Sequence, residues 1–335
     1  MLGELDPDRT RVAVVDPLVG TVIDRRYRVE FRLAAGGFGA IYRATHVITG
    51  RQIALKVLHT QLATRADVVA RFRREGATLG ALRDPHTIKA IDFGETREGL
   101  LYIAMELLQG ESLYERYSAL GPFAWQRMVS IARQVCSALG EAHALGIIHR
   151  DLKPTNIHLE YVGGDPDFVK VLDFGIAKIL HGSALDSSDL THIGTTVGTF
   201  DYMAPEQLVA GPCTGTADIF TLGIVMYEMI SGERPFGNPQ TPAEMLTAVL
   251  AGKTPPLSSM SEAPVELDAV IERCLDRDPD RRYPTVAELD ADLEHVAAHD
   301  ATQVTMLDDD TNTWIHAPPS PTTLPGIVPP KPIKR

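Results

Sequence analysis

Several groups of residues in this chain have the types and spacing to handle a phosphate group. Leu33-Ala-Ala-Gly-Gly-Phe-Gly-Ala-Ile-Tyr42 gathers Gly36, Gly37 and Gly39 between two runs of alternating apolar residues. Without a β-carbon, backbone N–H groups there can approach a phosphate; a tight hairpin turn explains Gly36 and Gly37 equally well. Lys56 closes the apolar run Ile53-Ala-Leu-Lys56, and a buried lysine is costly unless it is paired. Glu75, in the helical run that follows, is the candidate partner. A Lys56–Glu75 pair facing bound phosphate accounts for both; two unrelated surface charges is the alternative. Asp151, Lys153 and Asn156 stand in Ile148-His-Arg-Asp-Leu-Lys-Pro-Thr-Asn-Ile157, and Asp173 in Lys170-Val-Leu-Asp-Phe-Gly175. In a short proline-containing loop such side chains can converge. Asp and Asn oxygens are hard ligands that suit Mg²⁺ bridging to phosphate, although either aspartate taken alone fits a plain turn.

Those residues need rigid elements to hold them. Tyr27–Leu33 and Ala40–Thr45 read as strands flanking the glycines, and Gln52–Leu58 alternates toward a core. Ala66–Leu82 carries apolar residues at helical spacing, and Ile88–Phe93 and Leu101–Leu107 read as two more strands. Helices follow over Trp125–Leu145, Ala217–Ser231, Pro242–Ala251, Val265–Leu275 and Val286–His299. A strand-rich first third with one helix, then a helical remainder, predicts two lobes with a cleft between them. The length of 335 residues is also crowded for a single core.

Composition narrows the function. With 44 % hydrophobic and 23 % charged residues the chain is not wholly disordered. A net charge of −12 opposes nonspecific binding to nucleic acid or anionic membrane. Cys136, Cys213 and Cys274 are far apart and read as free thiols of a reducing compartment. No Cys/His spacing suits zinc, so His46, His59, His86 and His143 read as solvated or core residues. The apolar run Ile219–Ile230 is too short to span a bilayer, and the acidic start Met1–Asp8 is not a signal peptide. A cytoplasmic protein is expected, with membrane attachment only if the chain continues past Arg335.

Taken in order, these motifs resemble the eukaryotic-type (Hanks-type) serine/threonine protein kinase family, whose signature set is a well-described template. The resemblance runs from about Tyr27 to His295. It also takes in Ala204-Pro-Glu206, Asp218 at the start of an apolar helix, and Arg282 in Arg277-Asp-Pro-Asp-Arg-Arg-Tyr283. The glycine loop and Met203-Ala-Pro-Glu-Gln207 are most similar to bacterial members. It implies an α+β, bilobal protein-kinase-like fold, with a small β-rich N-lobe carrying one helix and a larger helical C-lobe. The corresponding divisions are an N-terminal extension over 1–26, N-lobe and hinge over 27–108, C-lobe over 109–298, and a disordered acidic then Pro-rich tail over 299–335. It further implies ATP with Mg²⁺ (Mn²⁺ as an alternative), and transfer of the γ-phosphoryl group to Ser or Thr hydroxyls of proteins, with no nucleic-acid partner.

The resemblance also assigns roles. Lys56, fixed by Glu75, holds the α- and β-phosphates; Asn156 and Asp173 ligate the metal; Asp151 orients the acceptor hydroxyl. Lys153 neutralises the transferring group, and Thr199 contacts Asp151. Ala34, Gly36, Gly37, Phe38, Gly39, Ile41, Ala54, Met105, Glu106, Leu108 and His158 line the ATP pocket, with Met105 as gatekeeper. Glu206 and Arg282 form a buried ion pair, and Asp218 is structural. Two positions depart from the family: Ala34 replaces the first loop glycine, and His158 stands where an apolar floor usually lies beneath adenine. A pseudokinase-type scaffold and a small-molecule phosphotransferase are the alternatives; intact Lys56, Asp151, Asn156 and Asp173 oppose the first, and the Ala-Pro-Glu element opposes the second. Arg150 beside Asp151 implies a phosphate-ordered loop, with autophosphorylation expected at Thr191, Thr195 or Thr196. Beyond about Thr302 a flexible tail dispensable for catalysis is expected. There Thr305 with Asp308 resembles motifs read by phosphothreonine-binding partners, and an inert linker is the alternative.

Overall fold

The structure, a computed structural model, describes residues 16–174, 200–252 and 254–309. Alternating apolar residues in the first third build a six-stranded antiparallel sheet. Its strands are β1 (Val22–Ile23), β2 (Tyr27–Ala35), β3 (Gly39–His46), β4 (Gln52–Leu58), β5 (Ala90–Glu95) and β6 (Leu101–Glu106). They stand in the order β1-β2-β3-β4-β6-β5. Lys56 on β4 faces Ile41 of β3 and Ile103 of β6. Helix α1 (Ala66–Ala81) packs against β5 of this sheet. Val68, Phe72, Gly76 and Leu79 form the buried face of α1, one residue per turn. Gly76 is required by close approach, because a β-carbon there would come within 2.6 Å of the Phe93 ring.

Two expectations shift here. Residues 16–26 are part of the lobe rather than a separate extension: β1 pairs with β2, and Asp16 accepts from the Tyr42 hydroxyl. The strand expected at Ile88 starts at Ala90, because residues before it cross to the second lobe. There the Ile88 N–H donates to the Val171 carbonyl at 3.1 Å, and the Val171 N–H to the His86 carbonyl at 2.7 Å.

The second lobe is built from α2 (Leu113–Leu120), α3 (Trp125–Ala144), α4 (Pro205–Leu208), α5 (Gly215–Ser231), α6 (Pro242–Ala251), α7 (Val265–Cys274) and α8 (Val286–Asp309). A small sheet, β7 (Glu111–Ser112), β8 (Ile157–Val162) and β9 (Asp165–Val171), lies in the order β7-β8-β9. From Ala217 to Ile230 every residue of α5 except Glu228 is buried, so a helix apolar all round forms the centre of the core. Helix α2 starts with a reciprocal capping box between Ser112 and Glu115. The α8 helix runs past His299 to Asp309, since neither Gly nor Pro interrupts it; residues 300–309 are therefore helical, a correction to the expected tail. The contacts divide the chain into two units, 1–297 and 298–335. The Pro-rich stretch lies outside the described residues.

Candidate active site

The glycine loop separates into two kinds of glycine. A β-carbon on Gly39 would lie 2.2 Å from the Val57 carbonyl oxygen, so β3 can press against β4 only with glycine there. Gly36 and Gly37 have no such need. Neither has a positive φ, and a β-carbon would meet nothing within 4 Å at Gly37 and only the Gly39 carbonyl at 3.9 Å at Gly36. A tight turn therefore does not explain them. Open space beside the backbone is what the approach of a phosphate requires. Ala34 sits in extended β2 opposite Ile41, where its methyl is tolerated.

Lys56 lies at the junction of three elements. Its Nζ donates to Glu75 Oε1 of α1 at 2.5 Å and to Asp173 Oδ1, just beyond β9, at 2.9 Å. Burial works against the ammonium, but the Asp173 and Glu75 charges outweigh it and hold the Lys56 pKa above the usual lysine range. The Lys56 charge in turn holds the Asp173 carboxyl below the ordinary carboxylate value. Burial pushes Glu75 upward. The side chains of Lys56 and Glu75 are 20 % and 17 % exposed and that of Asp173 51 %, so the lysine faces an open side across which phosphate oxygens can compete for it.

The loop bearing Asp151 is fixed from below. Asp218, on buried α5, accepts the backbone N–H groups of His149 and Arg150 at 2.8 Å each. It also lies 2.8 Å from His143 Nε2. These bonds hold Arg150 at φ 63, a backbone region that only a firmly determined site retains in a non-glycine residue; Asp173, at φ 46, is likewise left-handed. The Asn156 amide nitrogen donates to the Asp151 carbonyl at 2.8 Å, which leaves its Oδ1 as the atom that can face a cation. Lys153 Nζ lies 3.0 Å from Asp151 Oδ2. The Leu172 N–H donates to the Asn156 carbonyl at 2.8 Å, tying the Asp173 segment to the Asn156 loop. Asn156 and Asp173 thus offer the hard oxygens that a divalent ion bridging to phosphate takes.

At the other end of the cleft Ala54 and Met105 are buried and paired across β4 and β6. Phe38, Ile41 and Leu108 pack partly buried against the core. Glu106 is held by Lys170 of β9, Nζ to Oε1 2.9 Å, and accepts the Lys89 N–H. His158 lies opposite Lys170 in the β8–β9 ladder, with Nε2 3.2 Å from the Gln109 carbonyl. Glu206 and Arg282 make a two-pronged pair at 2.8 and 3.0 Å. Among the described residues the buried Arg150 Nε has no hydrogen-bond partner. Thr191, Thr195, Thr196 and Thr199 lie outside the described residues. The sequence assigns no functional role to His143 or Lys170, because each acts through a partner distant along the chain, Asp218 and Glu106.

Residues 27–294 match the family described as the protein kinase domain. The serine/threonine-protein kinase pkn3 of Myxococcus xanthus is 36 % identical over 288 residues, 85 % of this chain and 52 % of that protein. PknE of Mycobacterium bovis is 38 % identical over 300 residues, 89 % of this chain and 51 % of its own length. This chain therefore spans about half the length of these relatives. The crystal structure of the Mycobacterium tuberculosis PknI kinase domain superimposes with a TM-score of 0.64 at 25 % identity, over 84 % of this chain and 99 % of that one.

Proposed function

This chain belongs to the protein kinase family, and we propose that it transfers the γ-phosphoryl group of Mg-ATP to Ser or Thr hydroxyls of proteins. The observation that carries this reading is Lys56 Nζ bonded to both Glu75 and Asp173. Strand, helix and metal-ligand segment meet at one ammonium, in the same lobe as two glycines, Gly36 and Gly37, that the fold itself does not require. The loop from Gly36 to Gly39 brings its backbone up to the phosphates, with the Gly36 N–H kept for the Gly39 carbonyl, and Lys56 holds the α- and β-phosphates. Asn156 and Asp173 hold the divalent ion, which supplies neutralising charge when bound. Asp151 orients the acceptor hydroxyl, and its proton passes to that carboxylate as the O–P bond forms and ADP leaves. A carboxylate of reference pKa about 4 is a weak base at pH 7, so placement of the hydroxyl contributes more than proton abstraction. Lys153 neutralises the moving phosphoryl group. With Thr199 it favours aliphatic hydroxyl acceptors. Met105, Ala54, Ile41 and His158 enclose adenine, which the backbones of Glu106 and Leu108 bond.

Phosphate transfer from labelled ATP to a generic protein substrate, compared between wild type and Asp151→Asn, tests the proposal. Label that depends on Asp151 supports it. Nucleotide binding without transfer in the wild type points to a scaffold, and transfer only to small molecules points to the other phosphotransferase class. The buried Nε of Arg150, without a hydrogen-bond partner among the described residues, supports a regulatory reading in which phosphorylated Thr191, Thr195 or Thr196 supplies an acceptor. Phosphatase-treated enzyme should then show a lag that the Thr191/Thr195/Thr196→Ala triple variant reproduces. Full activity in that variant would remove the idea.

A further inference from the structure

We infer that His59 is a positioning residue for the nucleotide, holding the glycine loop in the orientation that receives phosphate. The inference rests on the kinase reading above. His59 follows β4 directly, and its imidazole Nε2 lies 3.0 Å from the Gly36 carbonyl oxygen. Its backbone N–H donates to the Phe38 carbonyl, also at 3.0 Å. One residue therefore ties the loop at two carbonyls, on either side of Gly37. The Gly36 N–H closes the same turn by donating to the Gly39 carbonyl at 2.8 Å.

A carbonyl can only accept, so the Nε2 atom bears the proton in this contact, in the neutral Nε2–H tautomer or in the doubly protonated ring alike. The consequence lies in the peptide plane. In a trans peptide the C=O of one residue and the N–H of the next point in opposite directions. Fixing the Gly36 carbonyl on His59 therefore turns the Gly37 N–H away from His59. Gly36 and Gly37 have neither a positive φ nor a close neighbour to set this plane. Glycine peptides without such restraint rotate readily, and the loss of that freedom is a cost that binding otherwise carries. His59 removes part of it before the nucleotide arrives. The tie is to backbone, so any side chain with a donor of similar reach can replace the imidazole.

The test compares wild type, His59→Ala and His59→Gln as full chains, by calorimetric binding of Mg-ATP and by steady-state kinetics. His59→Ala should weaken Mg-ATP binding and raise KM for ATP by about threefold to tenfold, the range that one hydrogen bond supplies. Its kcat should stay within about twofold and its Tm unchanged, since the transferring groups and the core are untouched. His59→Gln, which retains an N–H donor, should recover most of the affinity. Equal losses in Ala and Gln variants, or a loss of kcat and Tm with KM unchanged, would overturn the inference. So would wild-type affinity in His59→Ala. Wild-type protein that binds no Mg-ATP would overturn the kinase reading and this inference with it.

Discussion

Two carboxylate–cation pairs, one in each lobe, use the same chemistry to opposite ends. In the helical lobe the Arg282 side chain is fully buried, with all three guanidinium nitrogens bonded. It donates to both Glu206 oxygens, to the Asp276 carbonyl at 2.7 Å and to the Thr216 carbonyl at 3.0 Å, and its guanidinium lies 4.7 Å from the Phe220 ring centre. In the sheet lobe Lys56 reaches Glu75 with one bond and shares itself with the half-exposed Asp173. Every guanidinium nitrogen of the arginine donates to a fixed protein acceptor, so that pair joins α4 to the segment before α8 and can do nothing else. The lysine's acceptors include one carboxylate open to solvent, which phosphate oxygens and a metal can displace or share. An ion pair becomes part of a working site by being left unsaturated on one side.

Breaking the two pairs should therefore separate catalysis from stability. Lys56→Met and Asp173→Asn should each lower turnover by more than about a thousandfold, above ~4 kcal/mol in barrier, with the urea midpoint nearly unchanged. Retention of more than about a tenth of wild-type turnover in either variant would remove its assigned role. Arg282→Met should do the reverse, lowering unfolding free energy by about 3–5 kcal/mol, because Glu206 is left as an uncompensated buried charge. Adding Glu206→Leu to Arg282→Met should restore part of that loss. Chemical denaturation of the single and double variants measures it, and an equally unstable double variant would show that the pair is not the cause.

The same contrast explains what could be read before the fold was known. Residues whose roles lie in local spacing were legible: the glycine loop, Lys56, the loop from His149 to Asn156, Asp173, and helices with clear apolar periodicity. The β8–β9 hairpin was missed although its signals stand in the sequence, with Ile157 and Leu159 alternating before Gly163-Gly164 and Val169 and Val171 after. His143 and Lys170 were illegible. A lone histidine with no metal spacing reads as core, and only the packing of α3 against α5 places it on Asp218. The division between Gly39 and Gly36–Gly37 also needs the fold, because identical residues differ only in what lies beside their absent β-carbons.

Gly76 gives a finer way to disturb the open pair without touching its charges. Alanine at an interior helical position ordinarily stabilises by about 1 kcal/mol over glycine. Here its β-carbon would approach the Phe93 ring to 2.6 Å, so α1 must move off β5 or Phe93 must turn out, and Glu75 is the next residue along that helix. Gly76→Ala should lower kcat/KM by roughly tenfold, about 1.4 kcal/mol, through a weakened Lys56–Glu75 bond. Gly76→Ala with Phe93→Ala should recover most of it. Kinetics of the two single variants and the double variant complete the cycle; an undiminished Gly76→Ala enzyme would mean that Phe93 yields and α1 does not.

The smallest expected effect lies at His149, where the closed and open regions meet. Its backbone hangs from Asp218 in the core, and its ring lies 4.8 Å from that of Phe174 beside Asp173. Nε2 is 2.9 Å from the Leu172 carbonyl, and Nδ1 accepts the Asp151 N–H at 3.3 Å. Both contacts are satisfied only by the neutral Nε2–H tautomer, since a proton on Nδ1 would meet another donor. Burial accordingly holds its pKa below the ordinary histidine value. Below a pH of about 6.5 the unfolded chain takes up a proton that the folded chain refuses. The stability that the neutral ring contributes is therefore complete above that pH and is lost as pH falls through the folded pKa. His149→Gln keeps one donor and one acceptor but does not titrate. Between pH 7.5 and 5 the urea midpoint of the wild type should fall more steeply than that of His149→Gln. Carboxylates that titrate in both proteins cancel in this difference. Parallel slopes would mean that His149 is protonated in the fold and that the Asp151 N–H finds its acceptor elsewhere.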